Sequence, residues 1–300
     1  MMNRSDFRRQ LQEGLNAVFG MEYDRYQEEW RDIFDVETSQ KAYEEDVLMY
    51  GLGAAPVKDE GDSIQYDEGA ESYTARYNHE TIALGFAITE EAEEDGLYGS
   101  IGQKMSRGLS RSFLQTKEVK GANVLNNGSS SSFPGGDGVA LFSTAHPLAN
   151  GSTLSNVLAT PADMAEASME ALAVQISTWT DERGIPIKPD IVRLIIPTQL
   201  QFIATRLTMT PYQPDTGDNN INAMFKLGTI REGFTVNHRL TDPRFWCFKT
   251  NVPDGLKHFV RKAISGGVEG DFETGNMRFK KRERYSFGFT DWRGAASGGV

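Results

Sequence analysis

The chain has 300 residues, 39% of them hydrophobic and 24% charged, which is the make-up of one large or two ordinary folded domains and not of a disordered tail. Its net charge of −11 argues against general binding to nucleic acid, and no apolar run reaches membrane-spanning length. The opening MMNRSDFRRQLQEG lacks the apolar centre of a secretory signal, and the single Cys247 can form neither an internal disulfide nor a cysteine metal motif, so folding in a cytoplasm with Cys247 as core filler is expected.

The charge is unevenly spread. Residues 1–100 hold 24 acidic against 8 basic residues, residues 101–200 hold 8 of each, and residues 201–300 hold 10 against 15. An acidic head and a basic tail can pair within one fold, or the head of one copy can meet the tail of another, where complementarity sets register and partner choice more than affinity.

Residues 5–50 read as helical. In NAVFGMEYDRYQEEWRDIF, Val18, Tyr23, Tyr26, Trp30, Ile33 and Phe34 fall near helical spacing, and KAYEEDVLMY continues it until Gly51 and Gly53. The stretch is aromatic and charged with few Leu or Val, as in an arm laid on something else. Residues 54–88 switch to a period of two, punctuated by Pro56, Gly61 and Gly69. SIQY, DEGAE and SYTARYNHETIALGFAI predict a long hairpin turning near Asp67–Glu71. Tyr73, Ala75 and Tyr77 share one face, and Thr74, Arg76 and Asn78 the other. A two-stranded hairpin is marginal alone in water, so it must lean on its own chain or on a neighbour.

Residues 90–122 predict one long helix. Thr89 is the N-cap, EEAEED follows at the positive end of the dipole, and Leu97, Ile101, Met105, Leu109 and Phe113 recur every four residues as its apolar stripe. Lys117 and Lys120 stand near its other end. Gly96, Gly99, Gly102 and Gly108 each cost about 1 kcal/mol against Ala and are tolerated where another backbone approaches closely. NNGSSSSFPGGDG, residues 126–138, is a low-complexity loop. Thr160-Pro161-Ala162-Asp163 has the N-cap hydroxyl, first-turn Pro and acidic residue of a helix start, and Ala165, Met169, Leu172, Ile176 and Trp179 form the stripe that follows.

PDIVRLIIP reads as a buried strand, TQLQFIATRL as a helix, and residues 208–222 as a polar loop. FTVNHRL, RFWCFKT, LKHFVRKAI and MRFKKRERYSFGFTDW are strands. The last puts Met277, Phe279, Tyr285, Phe287 and Phe289 on one face and a basic comb of Arg278, Lys280, Arg282 and Arg284 on the other. Such combs commonly protect an exposed sheet edge. Without aromatic side chains on the same face, the comb is not a single-strand binding site.

Residues 141–156, LFSTAHPLANGSTLSN, carry Ser143, Thr144 and His146 within four residues, followed by Ser152, Thr153 and Ser155. A serine hydrolase also needs an orienting acid and an oxyanion hole, and no G-x-S-x-G elbow is present. A hydroxyl-rich structural loop is the expectation, its side chains partnering an irregular backbone. His79, His238 and His258 lack metal-ligand spacing. PGGDG has no Lys-Ser/Thr after it, and the acidic run at 90–95 lacks EF-hand spacing. No catalytic, cofactor-binding or metal-binding set emerges.

The order of these elements, together with VALFSTAHPLANGSTLSN after the long helix and IIPTQLQFIATRL, resembles the major capsid (major head) protein of tailed bacteriophages, most closely the Mu-like major head subunit family. The resemblance implies an α+β, Hong Kong 97-like fold. Residues 1–50 would form an N-terminal arm, 51–88 an extended β-hairpin loop, 89–160 a peripheral domain with spine helix and loop, 161–245 an axial domain, and 246–300 strands returning to the periphery. It implies a non-enzymatic virion subunit, assembled in a host cytoplasm, that needs no cofactor. Hexamers and pentamers would close an icosahedral head around double-stranded DNA held without sequence-specific contacts. It also implies a portal and, because no long segment precedes the arm, either a separate scaffolding protein or a processed form. Candidate inter-subunit contacts are Tyr66, Glu68, Glu71, Tyr73, Arg76 and Tyr77 on the hairpin and Arg278, Lys280, Arg282 and Arg284 in the comb. Some members of such families crosslink through a loop lysine; Lys58 sits in no such context, so no crosslink is expected. An encapsulin-like nanocompartment shell and, more remotely, a Ser/His hydrolase stay open as alternatives.

Overall fold

The computed structural model describes residues 4–89, 98–212, 220–270 and 276–299. In chain order it contains helix α1 (Arg4–Tyr23), a 3-10 turn (Glu29–Asp32) and strands β1 (Asp35–Thr38), β2 (Tyr43–Tyr50), β3 (Ala70–Asn78) and β4 (Glu80–Ile88). Helix α2 (Tyr98–Asn126), the short strands β5 (His146–Pro147) and β6 (Thr153–Leu154), and helix α3 (Glu166–Ser177) follow. Then come β7 (Ile191–Ile196), helices α4 (Gln201–Met209) and α5 (Ala223–Leu227), and strands β8 (Phe234–Val236), β9 (Cys247–Thr250), β10 (Leu256–Gly270), β11 (Met277–Phe289) and β12 (Ala295–Ser297).

Among the described residues these strands form two four-stranded sheets, ordered β1-β10-β11-β4 and β12-β9-β7-β8, and two two-stranded ones, β2-β3 and β5-β6. One face of the first sheet carries α1 and α2, through a small core of Leu15, Phe19, Leu109, Phe113 and Phe279. A larger core runs from Trp30, Ile33 and Phe34 past Leu125, Leu141 and Phe142 to the second sheet, where Leu194, Ile195, Ile196, Trp246, Cys247 and Phe248 meet Met169, Leu172 and Ile176 of α3. Cys247 is core filler, and burial alone pushes its thiol pKa up.

Several expectations shift. KAYEEDVLMY is not helical: Tyr43–Tyr50 is a strand paired antiparallel with β3, with Val47 opposite Thr74 and Leu48 opposite Tyr73. Aromatic and β-branched cross-strand neighbours outweighed a spacing compatible with helix. The hairpin therefore covers 43–78 and not 54–88. Residues 51–69 form its tip, SIQY joins no ladder, and β4 leaves to pair with β11. The predicted faces of β3 are observed: Ala75 and Tyr77 are buried, and Thr74, Arg76 and Asn78 exposed. Helix α1 lies on its own chain, held by Ser106 Oγ on the Leu15 carbonyl at 2.9 Å and by Arg111 on Glu22 at 2.8 Å. The comb does not guard an edge, because β11 runs between β10 and β4. Helix α3 begins at Glu166, with Ser168 Oγ accepting from the Ala165 amide, so the Thr160 start is not used.

Helix α2 is about 44 Å long at 1.5 Å per residue. The N-cap and acidic run predicted for it, together with Gly96 and Leu97, lead into residues 90–97, outside the described residues. Its apolar stripe is only partly as expected. Leu109 and Phe113 face inward, whereas Ile101 and Met105 face solvent and Gly102 and Ser106 take the buried positions. Gly102 lets Leu15 and Ile88 approach, and Gly121 lies against Trp30 Cβ, the close contacts that a side chain would push apart. Gly108 differs, since a Cβ there would meet nothing within 4 Å. Gly108→Ala should therefore raise the unfolding free energy of the isolated chain by about 1 kcal/mol. A urea midpoint unmoved or lowered, with unchanged slope, would contradict this.

Candidate functional site

The hydroxyl-rich stretch folds as β5 and β6 with a tight loop between them, and His146 lies at its centre, fully buried. Its ring stacks on Trp292, with centroids 4.2 Å apart and planes 5° apart. Nδ1 lies 2.7 Å from Asp137 Oδ2, and Nε2 lies 3.2 Å from Asn156 Oδ1. The orientation of the Asn156 amide is fixed: Nδ2 donates to the carbonyls of Leu141, Trp292 and Ala295, and Oδ1 accepts from the Ser143 amide. Both ring nitrogens of His146 thus face acceptors, and neither presents a lone pair to a nucleophile, as a general base must. Ser143 Oγ instead accepts from the Ala145 amide within a local turn. The arrangement clamps a loop and does not assemble the Ser/His relay of a hydrolase.

Beside it, Arg293 is buried and paired with Glu182 at 3.1 Å and Asp291 at 3.2 Å, and donates Nε to the Thr180 carbonyl. Burial pushes the Asp291 carboxyl upward against the pull of Arg293. Glu182 in turn accepts from the Ala149 amide. The other histidines are structural as well. His79 bridges Ser39 and Ser286, and His258 is wedged against Trp30 and Phe287, where burial drives its pKa down to about 3. His238 binds Glu29 at 2.6 Å.

The surface candidates sort differently. Tyr77 is buried, its hydroxyl on Thr290 Oγ1 at 2.7 Å and its ring 4.7 Å from that of Phe259, and Tyr73 donates to the Thr290 carbonyl. The hairpin leans on its own chain through these two tyrosines. Arg76 stacks over Tyr43 on the outer side of the β2-β3 pair. Tyr66 is 90% exposed at the tip, near Glu68 and Glu71, which face solvent. Arg183 anchors the tip from the body of the molecule, bonding Asp67 and the Glu68 carbonyl and lying 5.3 Å from the Tyr50 ring.

In the comb, Arg278, Lys280 and Arg282 are exposed and Arg284 is half-buried. Across the ladder from Arg284, Arg282, Lys280 and Arg278 stand the small residues Thr81, Ala83, Gly85 and Ala87 of β4, so the cations project from a low surface. Lys280 reaches Glu269 at 3.2 Å, and Arg284 Nε has no hydrogen-bond partner among the described residues. Periodicity alone missed the two charges on the opposite face. Lys281 reaches Asn16 at 2.7 Å and lies over the Phe19 and Phe279 rings, and Glu283 pairs with Lys117 at 2.8 Å. The signal was present as two charged residues at apolar positions of an otherwise alternating strand.

A further acid joins the N-terminal segment to α2. Glu118 accepts from the amides of Glu29 and Trp30 at 2.8 and 3.1 Å, and Glu29 itself holds His238 and Arg239. Burial first, and the neighbouring Glu29 charge second, raise the Glu118 pKa from 4.5 to about 7.

The sequence model described as phage capsid protein matches residues 72–297, well over half of the chain. No curated protein matches the sequence. Among solved structures, the capsid of Ralstonia phage GP4 is similar at TM-score 0.57 and 10% identity, covering 88% of this chain and 86% of that one. The capsid of an empty GTA particle is similar at 0.55 and 12%, covering 91% and 89%. A virus-like particle from Pyrococcus furiosus is similar at 0.54 and 12%, covering 95% and 98%. At these identities the likeness is one of fold, and the fold is the Hong Kong 97-like one expected from the order of elements.

Two outcomes follow from the buried groups. His146→Ala removes a hydrogen-bond partner of the buried Asp137 carboxyl and leaves a cavity against Trp292, and should cost about 3–5 kcal/mol in urea unfolding, while Ser143→Ala should cost about 1 kcal/mol or less; equal losses would contradict the clamp. A carboxyl with a raised folded-state pKa binds its proton more tightly folded than unfolded, so its contribution to stability falls as pH rises from 4.5 to about 7. Glu118→Gln should flatten the fall in urea midpoint between pH 5 and pH 8, and an unchanged pH profile would exclude Glu118 as its source.

Proposed function

The chain belongs to the phage capsid protein family, and from that premise we propose that it is the repeating subunit of an icosahedral head, closing hexamers and pentamers around double-stranded DNA. The Mu-like branch is the narrower assignment, resting on the stretch at 139–156. Residues 1–42 act as the arm, 43–78 as the extended loop, 89–160 as the periphery, 161–245 as the axial part and 246–300 as the returning strands. The extended loop begins inside the span first given to the arm, because β2 pairs with β3. The subunit needs no cofactor and turns nothing over. Scaffold and portal partners, and assembly in a host cytoplasm, belong to the same reading.

One observation carries the reading: an acidic, exposed loop and a basic, exposed sheet face stand on the same chain. Asp59, Glu60, Asp62 and Glu68 at the tip and Glu71 beside it on β3 are exposed, and so are Lys280 and Arg282 on β11. Copies joined loop to sheet would bury Tyr66 and pair Glu68 and Glu71 with the comb. Tyr73 and Tyr77 serve the contact indirectly, by fixing the base of the loop. A compartment shell of cellular origin, built on the same fold, is the second reading; the likeness to the Pyrococcus furiosus particle supports a shared fold, and the family match favours the phage reading.

Negative-stain electron microscopy of the purified chain across concentration and salt tests the proposal. Closed shells, or rings of five or six copies, are expected. Lys280→Glu with Arg282→Glu should abolish them, and adding Glu68→Arg with Glu71→Arg should restore them. Uniform monomers at every condition, or reversal without effect, would sink the loop-to-sheet contact.

A further inference from the structure

The outward face of α2 is largely open to solvent, and Arg111 at one end of it binds Glu22 and lies over the Tyr26 ring. Ile101, Lys104, Gly108 and Arg111 recur at three- and four-residue spacing and so lie on one side of the helix, with Met105 and Arg107 flanking them. All are exposed, and the two large apolar side chains, Ile101 and Met105, keep 38% and 51% of their surface in solvent. Among the described residues, the charges that α2 itself places on this face are all positive. Helix α2 carries no carboxylate before Glu118, and Glu22 of α1 binds Arg111 at 2.8 Å and lies in the field of Arg107.

Gly108 stands at the centre of the face. Gly102 and Gly121 are explained by what packs against them, but among the described residues the space over Gly108 is open, and their packing gives no reason for a glycine in the middle of a 29-residue helix. A missing side chain there lets a second helix come nearer than the usual 8–10 Å between axes. Apolar and basic anchors at helical spacing match the way an amphipathic helix is read by its partner.

We propose that this face docks an acidic amphipathic helix of a separate chain, its backbone against Gly108, its apolar side chains on Ile101 and Met105, and its carboxylates on Lys104, Arg107 and Arg111. Charge complementarity selects the occupant: the face is basic while the chain as a whole carries −11. This surface is distinct from the loop and the comb of the preceding section, and its occupancy is measurable on unassembled chain.

The probe is a fluorescein-labelled synthetic helix of about twenty residues built from Glu, Leu and Ala, with a Lys-for-Glu analogue as control, titrated with the full-length chain and followed by anisotropy. The Glu helix should bind and the Lys analogue should not. Lys104→Glu with Arg107→Glu, and separately Gly108→Leu, should each weaken binding about tenfold or more. Gly108→Leu adds no charge, so its effect reports close approach. Far-UV circular dichroism checks that these exposed substitutions leave the fold intact. Absence of binding by the Glu helix, or equal binding by every variant, overturns the proposal. Variants that change self-association in sedimentation without changing peptide affinity would assign the face to a second copy, and overturn it equally.

Discussion

The side-chain amide of Asn156 fixes the middle of the molecule. It donates to three main-chain carbonyls, those of Leu141, Trp292 and Ala295, and receives the Ser143 amide and His146 Nε2. An irregular loop between two sheets carries backbone groups that no ladder satisfies, and one correctly turned amide answers several of them. Trp292, set by the same contacts, then lies between His146 on one side and Trp179 on the other, while Arg293 next to it gathers Glu182 and Asp291. The hydroxyl-rich loop, the end of the long sheet and the start of β12 are tied together at that point.

Strand β11 connects this centre to the surface and serves two environments at once. Its exposed side carries four cations over small neighbours, and its other side places Lys281 and Glu283 among aromatic rings. The inward charges are paired or hydrogen-bonded to elements distant in sequence, to α1 through Asn16 and to α2 through Lys117. Buried charges of this kind cost desolvation and fix geometry more than they add stability. They bind helix α1 to the sheet where the apolar core beneath it is small.

Much of this was legible in the sequence. The alternation of MRFKKRERYSFGF gave the faces of β11, and the order of elements gave the fold. The hydroxyl-rich stretch read as a structural loop, in agreement with the geometry around His146. What was not legible is physical in origin. KAYEEDVLMY satisfies a helical and an extended spacing alike, and only its cross-strand partners on β3 decide between them. Helix α2 presents Gly102 and Ser106 to α1 because α1 lies close, so its outward residues include the apolar Ile101 and Met105. The role of Asn156 depends on carbonyls up to 139 residues away, and no local pattern encodes that.

The break at His79 has a mechanical consequence. Strands β3 and β4 are nearly one extended run, separated by a single residue whose ring is pinned to Ser39 and Ser286. Load on β3 that passes this pin reaches β4. There it is resisted by the nine-residue register with β11, from Glu80 opposite Tyr285 to Ile88 opposite Met277. Force along a strand loads the rungs of its ladder together, whereas force across it opens them one by one. Load along β4 is thus borne in the direction in which this sheet yields least.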